Sequence, residues 1–245
     1  MTAKNRPSTK YHLARVLMAT LTVLASITVF TGCSPAVVVT IAPESATAAE
    51  NAGNAAFSAE ISPTAEKIVR RFTSANSPIF DKAEITKSLT AAGFKINSLD
   101  FPGTAGIAMS LTVPELDGLL NKSVSVAKAD KRMNLVISRE SIKTAIEAMP
   151  ASTGDYLDLL MAPVFTDEKL STAEYEDTIG SAYGKTIVAE LKKSFFTLTV
   201  KCPNAVRTAK TSAGTATING SSAVIKIPLS AILTLTDPIT ASVEW

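Results

Sequence analysis

Imidazole and thiol groups are nearly missing from this sequence: its 245 residues hold one histidine, His12, and two cysteines, Cys33 and Cys202. A His-ligated zinc, a Cys-rich zinc or iron–sulfur site and a histidine proton relay all need more ligands than that. An excess of charge of one sign is lacking as well. With 24 Lys and Arg against 22 Asp and Glu, no electrostatic footprint for nucleic acid is expected. One extended apolar run exists, Val16 to Phe30. It falls short of the roughly 20 residues that cross a bilayer as a helix, and Thr20, Thr22, Ser26 and Thr28 dilute it. What is present is ordinary: 46% hydrophobic and 19% charged residues suit a globular chain and exclude a disordered one. The length allows one domain, or a two-lobed one, with a proper core.

The even charge balance hides an asymmetry. Every charge before Glu44 is positive, on Lys4, Arg6, Lys10 and Arg15. A basic start, an apolar run and the small residues Thr31-Gly32 together make a secretory signal. Phe30-Thr31-Gly32-Cys33 resembles the lipobox of bacterial lipoproteins, in which an aliphatic residue, two small residues and an invariant cysteine surround the cut. The family usually carries Leu, Val or Ile where Phe30 stands. The resemblance covers about 33 residues and leaves the rest of the chain unassigned. It implies cleavage after Gly32, with Cys33 as the first mature residue. That cysteine would carry a thioether-linked diacylglycerol and often an N-linked acyl chain such as palmitate. Each buried methylene contributes about 0.8 kcal/mol, and two chains suffice for stable anchoring. The location so implied is the extracytoplasmic side of a cell membrane, inner and outer membranes fitting equally.

Removal of residues 1–32 takes away four basic residues and no acids, leaving 20 against 22 and a formal charge of −2. It also removes His12, so the mature chain has no imidazole. Ser-His-Asp and Cys-His nucleophile activation are then excluded. A Cys33 lipidated through sulfur leaves Cys202 without a disulfide partner. Cys202 falls at the inward parity of an alternating strand, which suggests a small buried hydrophobe.

Residues 33–59 are rich in Ala, Ser, Thr, Pro and Asn, and read as the lipidated Cys and a flexible tether. The competing reading is an edge strand at Val37–Ile41. A globular domain is expected over 60–245, either single or as two lobes of about 60–150 and 151–245. Its helices start at Ser62-Pro63, at Asp81, at Ser138 and at the capping box Ser171-Thr-Ala-Glu174. The last of these opens the longest expected helix, to about Lys193, with Tyr175, Ile179, Ala182, Tyr183, Ile187 and Leu191 on one face. A short helix is expected over Pro114–Leu120. Strands are expected at 95–101, 106–113, 123–128, 132–138, 196–202, 215–218, 223–227 and 239–245, with Asn219-Gly220 as the strongest hairpin signal. The fold class is α+β, mostly antiparallel. Residues 81–128 and 173–245 can also be read as two degenerate α-β-β-α-β repeats, each with a proline after its second strand.

Three strings look like catalytic motifs. Ser125-Val-Ala-Lys128 matches the Ser-x-x-Lys of penicillin-recognising enzymes, but it alternates like a strand and has no companion motifs. Gly180-Ser-Ala-Tyr-Gly-Lys185-Thr186 is one residue short of a phosphate loop and lies within a helix pattern. Asp167, Glu168, Glu174, Glu176 and Asp177 cluster near a helix start, where acids complement the helix dipole. Paired-carboxylate hydrolysis would require two of them facing across a cleft. The most apolar stretch after the signal, Tyr156–Phe165, suits core packing, an apolar pocket or a partner patch.

The expectation is therefore a lipid-anchored lipoprotein, not an enzyme, with a binding or envelope-structural role and no cofactor or metal. Its partners are the membrane, through Cys33, and an unknown protein or apolar small molecule; nucleic acid is not among them. The alternatives are a carrier of a lipid or other apolar ligand and, behind it, an envelope hydrolase using carboxylates.

Overall fold

The computed structural model describes residues 34–43, 53–72, 79–91, 93–118, 123–147 and 162–245. Alternation of buried and half-exposed side chains builds most of it. Val37, Val39 and Ile41 face inward from β1 (Ala36–Ile41), with Ala36, Val38 and Thr40 on the other side. This period of two is that of a strand with one covered face.

In chain order, β1 is followed by β2 (Gly53–Glu60), α1 (Pro63–Phe72), α2 (Lys82–Ala91), β3 (Lys95–Asp100) and β4 (Gly106–Val113). Then come β5 (Val124–Ala127), β6 (Arg132–Ile137), α3 (Arg139–Glu147) and α4 (Pro163–Thr166). The second half contains α5 (Thr172–Tyr183), α6 (Lys185–Leu191), β7 (Phe195–Lys201), β8 (Thr208–Thr211) and β9 (Thr215–Asn219). It ends with β10 (Ser222–Pro228), α7 (Leu229–Thr234) and β11 (Ile239–Glu244). Seven strands form one sheet in the order β3-β4-β2-β1-β7-β10-β9, and four form a second, β5-β6-β11-β8. Every pairing is antiparallel except β1 with β7. The class is α+β, mostly antiparallel, as the sequence indicates.

Both sheets and the helices feed one continuous core. It contains Val39 of β1, Leu111 of β4, Val200 of β7 and Ile225 of β10 from the large sheet. Leu135 of β6 and Val243 of β11 join it from the small sheet, and Ile68, Leu89, Tyr175, Ile187 and Leu233 from helices. Two lobes meeting near residue 150 do not form. Residues from both halves pair within each sheet, β1 with β7 and β6 with β11, so the halves share their hydrogen bonds and their core.

The tether expected over 33–59 is corrected. Residues 36–41 and 53–60 are strands, and β1 is neither loose nor an edge: it is the middle strand of seven. Low-complexity composition concealed this, because the inward positions of β2 are filled by Gly53, Ala55, Phe57 and Ala59. Close packing is what selects Gly53. A Cβ there would lie 2.4 Å from Leu116 Cδ1 and 2.8 Å from the Thr40 carbonyl oxygen, so the chain crossing at Leu116 requires glycine.

The helix expected up to Lys193 is broken in two. Gly184 has φ +94° and ψ 167°, a conformation that a residue with a side chain rarely adopts. The apolar face survives the break, with Tyr175, Ile179, Ile187 and Leu191 buried, but Ala182 turns outward. Over 114–118 there is a bend and a turn in place of the expected helix, held by the Val126 N–H donating to Asp117 Oδ1 at 2.9 Å. The helix-led repeat is also redrawn. On each side of β1 lies a three-stranded antiparallel unit, β3-β4-β2 and β9-β10-β7. In each, the middle strand reaches a proline, Pro114 or Pro228, and the chain passes to the small sheet at β5 or β11. The correspondence lies in sheet order, and α2 and α6 are not part of it.

A chain beginning at Ser34 is expected to unfold cooperatively in urea. A chain beginning at Ala59 lacks β1 and most of β2, and is expected to show no cooperative transition and to bind a hydrophobic dye. Equal stability of the two would contradict the central role of β1.

Candidate functional site

The lipidation site Cys33 and the cut at Gly32 lie outside the described residues. Ser34 is the first described residue and is exposed; Pro35 is already buried. The Pro35 carbonyl accepts a hydrogen bond from the Thr197 N–H at 2.9 Å, and Ala36 opens the sheet. The ordered core therefore starts within three residues of Cys33.

The neighbouring chain at this end of the sheet is well fixed. α6 ends in the exposed pair Lys192-Lys193, and the buried Ser194 donates its N–H to the Leu191 carbonyl and accepts one from Leu229. Lys192 Nζ lies 3.2 Å from Glu176 Oε2. Beside β2, the Ser62 and Thr64 hydroxyls donate to the two oxygens of Glu190, at 2.9 and 2.8 Å, and so tie the start of α1 to α6.

Three of the clustered acids have structural partners. The Glu174 carboxylate accepts from the Ser171 backbone N–H at 2.8 Å and from its hydroxyl at 2.7 Å, while the Glu174 N–H donates to Ser171 Oγ. This is the capping box expected from the sequence. The Ser171 N–H, then its hydroxyl, hold the Glu174 carboxyl below its ordinary range. Asp167 is paired with Lys143 and lies 4.0 Å from Arg139. Its hydrogen bond from Lys143 is the main reason that its carboxyl is lowered. Glu176 meets Lys192. Asp177 and Glu168 are exposed. Glu176 and Asp177 both line the groove between α5 and α6, and both come from α5. Among the described residues, no group of three or more His, Cys, Asp and Glu is placed to hold a metal.

Arg139, which the sequence did not single out, makes four hydrogen bonds to main-chain carbonyls. Its guanidinium donates to the carbonyls of Leu235 at 3.1 Å, Pro163 at 2.7 Å, Glu168 at 2.9 Å and Thr234 at 2.7 Å. A planar fork with five donors suits such a junction. It pins α3, α4 and the end of α7, where Leu235 adopts φ +39°. Only the position directly after Ser138 hinted at it.

Of the apolar stretch 156–165, residues 156–161 lie outside the described set. Ala162, Pro163 and Val164 are buried, and Phe165 packs against the core. Two grooves lie on helix surfaces, one of about 830 Å³ along α2 and one of about 480 Å³ between α5 and α6. Neither is lined by the sheets. Ser125 is a half-buried strand residue and Lys128 lies in the following turn, while Gly184-Lys185 joins two helices. Cys202 is buried, and burial pushes its thiol up to about 11. Burial likewise raises the phenols of Tyr175, where Tyr183 adds to the effect, and of Tyr183 itself.

Comparison with protein families, with curated proteins and with solved structures yields no match. Among the described residues, no helix is long and apolar enough to cross a membrane.

Replacing Arg139 with Ala leaves several carbonyls without donors and is expected to lower stability by about 3 kcal/mol, read by urea denaturation. Thiol reagents at pH 8 should leave Cys202 unmodified in the folded protein and label it fully in denaturant. The carboxyls of Glu66, Asp167, Glu174 and Glu244 are all held low by donors. Their contribution is present in full above the ordinary carboxylate range and is lost as pH falls through their folded values. The melting temperature should therefore drop on acidification below about pH 4.5, and Glu174→Gln should shrink that drop.

Proposed function

We propose that this chain is a bacterial lipoprotein, anchored on the extracytoplasmic side of a membrane through Cys33, with a non-enzymatic binding or envelope-structural role. The observation that carries this reading is the leader: four basic residues, an apolar run and Phe30-Thr31-Gly32-Cys33. A second observation supports it. A cut between Gly32 and Cys33 leaves only Ser34 and Pro35 before an ordered strand, so a domain begins directly where the cut would fall.

The case against catalysis is chemical. The mature chain has no imidazole, its one remaining thiol is buried and held protonated, and three acids of the cluster, Asp167, Glu174 and Glu176, serve a helix cap and ion pairs. The carrier reading rests on residues 156–165, whose described part packs into the core.

The full chain expressed in a bacterium should fractionate with membranes. Its purified form should begin at Cys33 and carry the added mass of a diacylglycerol, with or without a further acyl chain. Cys33→Ser should move the protein to the soluble fraction. Membrane retention of that variant, or an unacylated N-terminus, would overturn the reading.

A further inference from the structure

The structure assigns a membrane-facing surface to this domain: the end of the seven-stranded sheet at which β1 begins, seated on the headgroup layer of the bilayer. This inference rests on the lipid-anchor reading above and goes beyond it, because an anchor alone leaves the orientation of its cargo open.

Three observations carry it. The first is chain length. Consecutive Cα atoms lie 3.8 Å apart, so Cys33 is one peptide from the exposed Ser34 and two from Pro35. Pro35 is itself held, buried and bonded through its carbonyl to Thr197. No slack remains for the domain to tumble above an acylated Cys33. The second is position. β1 is the middle strand of seven, so the attachment point is central in the large sheet and not at a corner. The third is what surrounds it. By register, Ala36 lies level with Ser58, Ala108 and Asp100 on one side and with Thr197 and Lys226 on the other. Beyond that row the strands reach Phe101 and Phe195-Phe196, all half-buried, and then the exposed Glu60, Pro102–Thr104 and Lys192-Lys193. Aromatic rings at mid-depth under an exposed edge that carries both charge signs suit the zwitterionic headgroup layer and not insertion into hydrocarbon.

The opposite end holds the β9–β10 turn at Gly220-Ser221 and the hydrogen-bonded set Asn54, Thr112 and Asn97. A seven-residue strand rises about 20 Å, so this end stands clear of the headgroups. It is the end open to the surrounding medium.

The test uses the acylated full chain in phosphatidylcholine vesicles that carry nitroxide on a fraction of headgroups. With Cys202→Ala as background, a single cysteine replaces Thr104, Lys193 or Ser221, each exposed, and carries a fluorophore. Unchanged urea midpoints show that each variant is folded. Labels at 104 and 193 should be quenched at least threefold more than the label at 221. Equal quenching at all three sites in vesicle-bound protein, or the reverse order, would overturn the orientation while leaving the anchor intact. A protein without acyl mass that fails to float with vesicles would overturn the anchor reading, and the orientation with it. Twelve Gly/Ser residues inserted after Cys33 add about 19 Å of root-mean-square reach. They should erase the contrast while the protein still floats. A contrast that persists would mean that the short connection does not set the orientation, and would overturn the proposal.

Discussion

Two rows of main-chain hydrogen bonds, one along each side of Ala36–Ile41, hold the large sheet together. Take away this strand and the sheet separates into β3-β4-β2 and β7-β10-β9, which have no other contact within it. The pairing is antiparallel on one side and parallel on the other, and the parallel partner arrives more than 150 residues later in the chain. Closing so long a loop costs entropy before the contact returns any stability. Burial of Val37, Val39 and Ile41 against the core, at roughly 1.5–3 kcal/mol each, is what makes the closure favourable.

Under the proposed anchoring, the same strand links attachment to folding. In a lipoprotein with a loose tether, the acylated residue and the domain are mechanically independent. The strand that follows Cys33 is the one on which the core depends, so an anchor at Cys33 would pass force or displacement to the centre of the sheet. Three charged residues have structural partners. Arg139 gathers four carbonyls, Glu190 gathers two hydroxyls at the start of α1, and Glu174 closes a cap. The first two join elements that apolar packing alone would leave under-determined, and the third fixes the start of α5.

Much of the secondary structure was legible because its signals are local. Ser62-Pro63, Ser171 with Glu174, and Asn219-Gly220 each act within four residues. Strict alternation marked β7, β10 and β11. Three features were not legible. β2 hides behind an alanine-rich composition because Gly53, Ala55 and Ala59 fill its inward positions, and their selection comes from Leu116 and β4, far along the chain. Gly184 sits in an unbroken apolar pattern, so nothing nearby distinguishes a helical glycine from a breaking one. β8 is a four-residue strand whose existence depends on β11. Of the candidate site, Cys33 was visible in the sequence, whereas its closeness to an ordered core was not.

The basic start and apolar run before Cys33, the absence of imidazole after His12 and the α+β class follow from the sequence by itself. All rest on composition or on patterns a few residues long, which act before the chain has folded. Tertiary structure alone decided that Ala36–Ile41 is the central strand, that the two halves share both sheets, and that Arg139 joins three helices. Each of these depends on partners tens to more than a hundred residues away. Local patterning states which face of a segment is apolar, but only the whole packed core determines what that face meets.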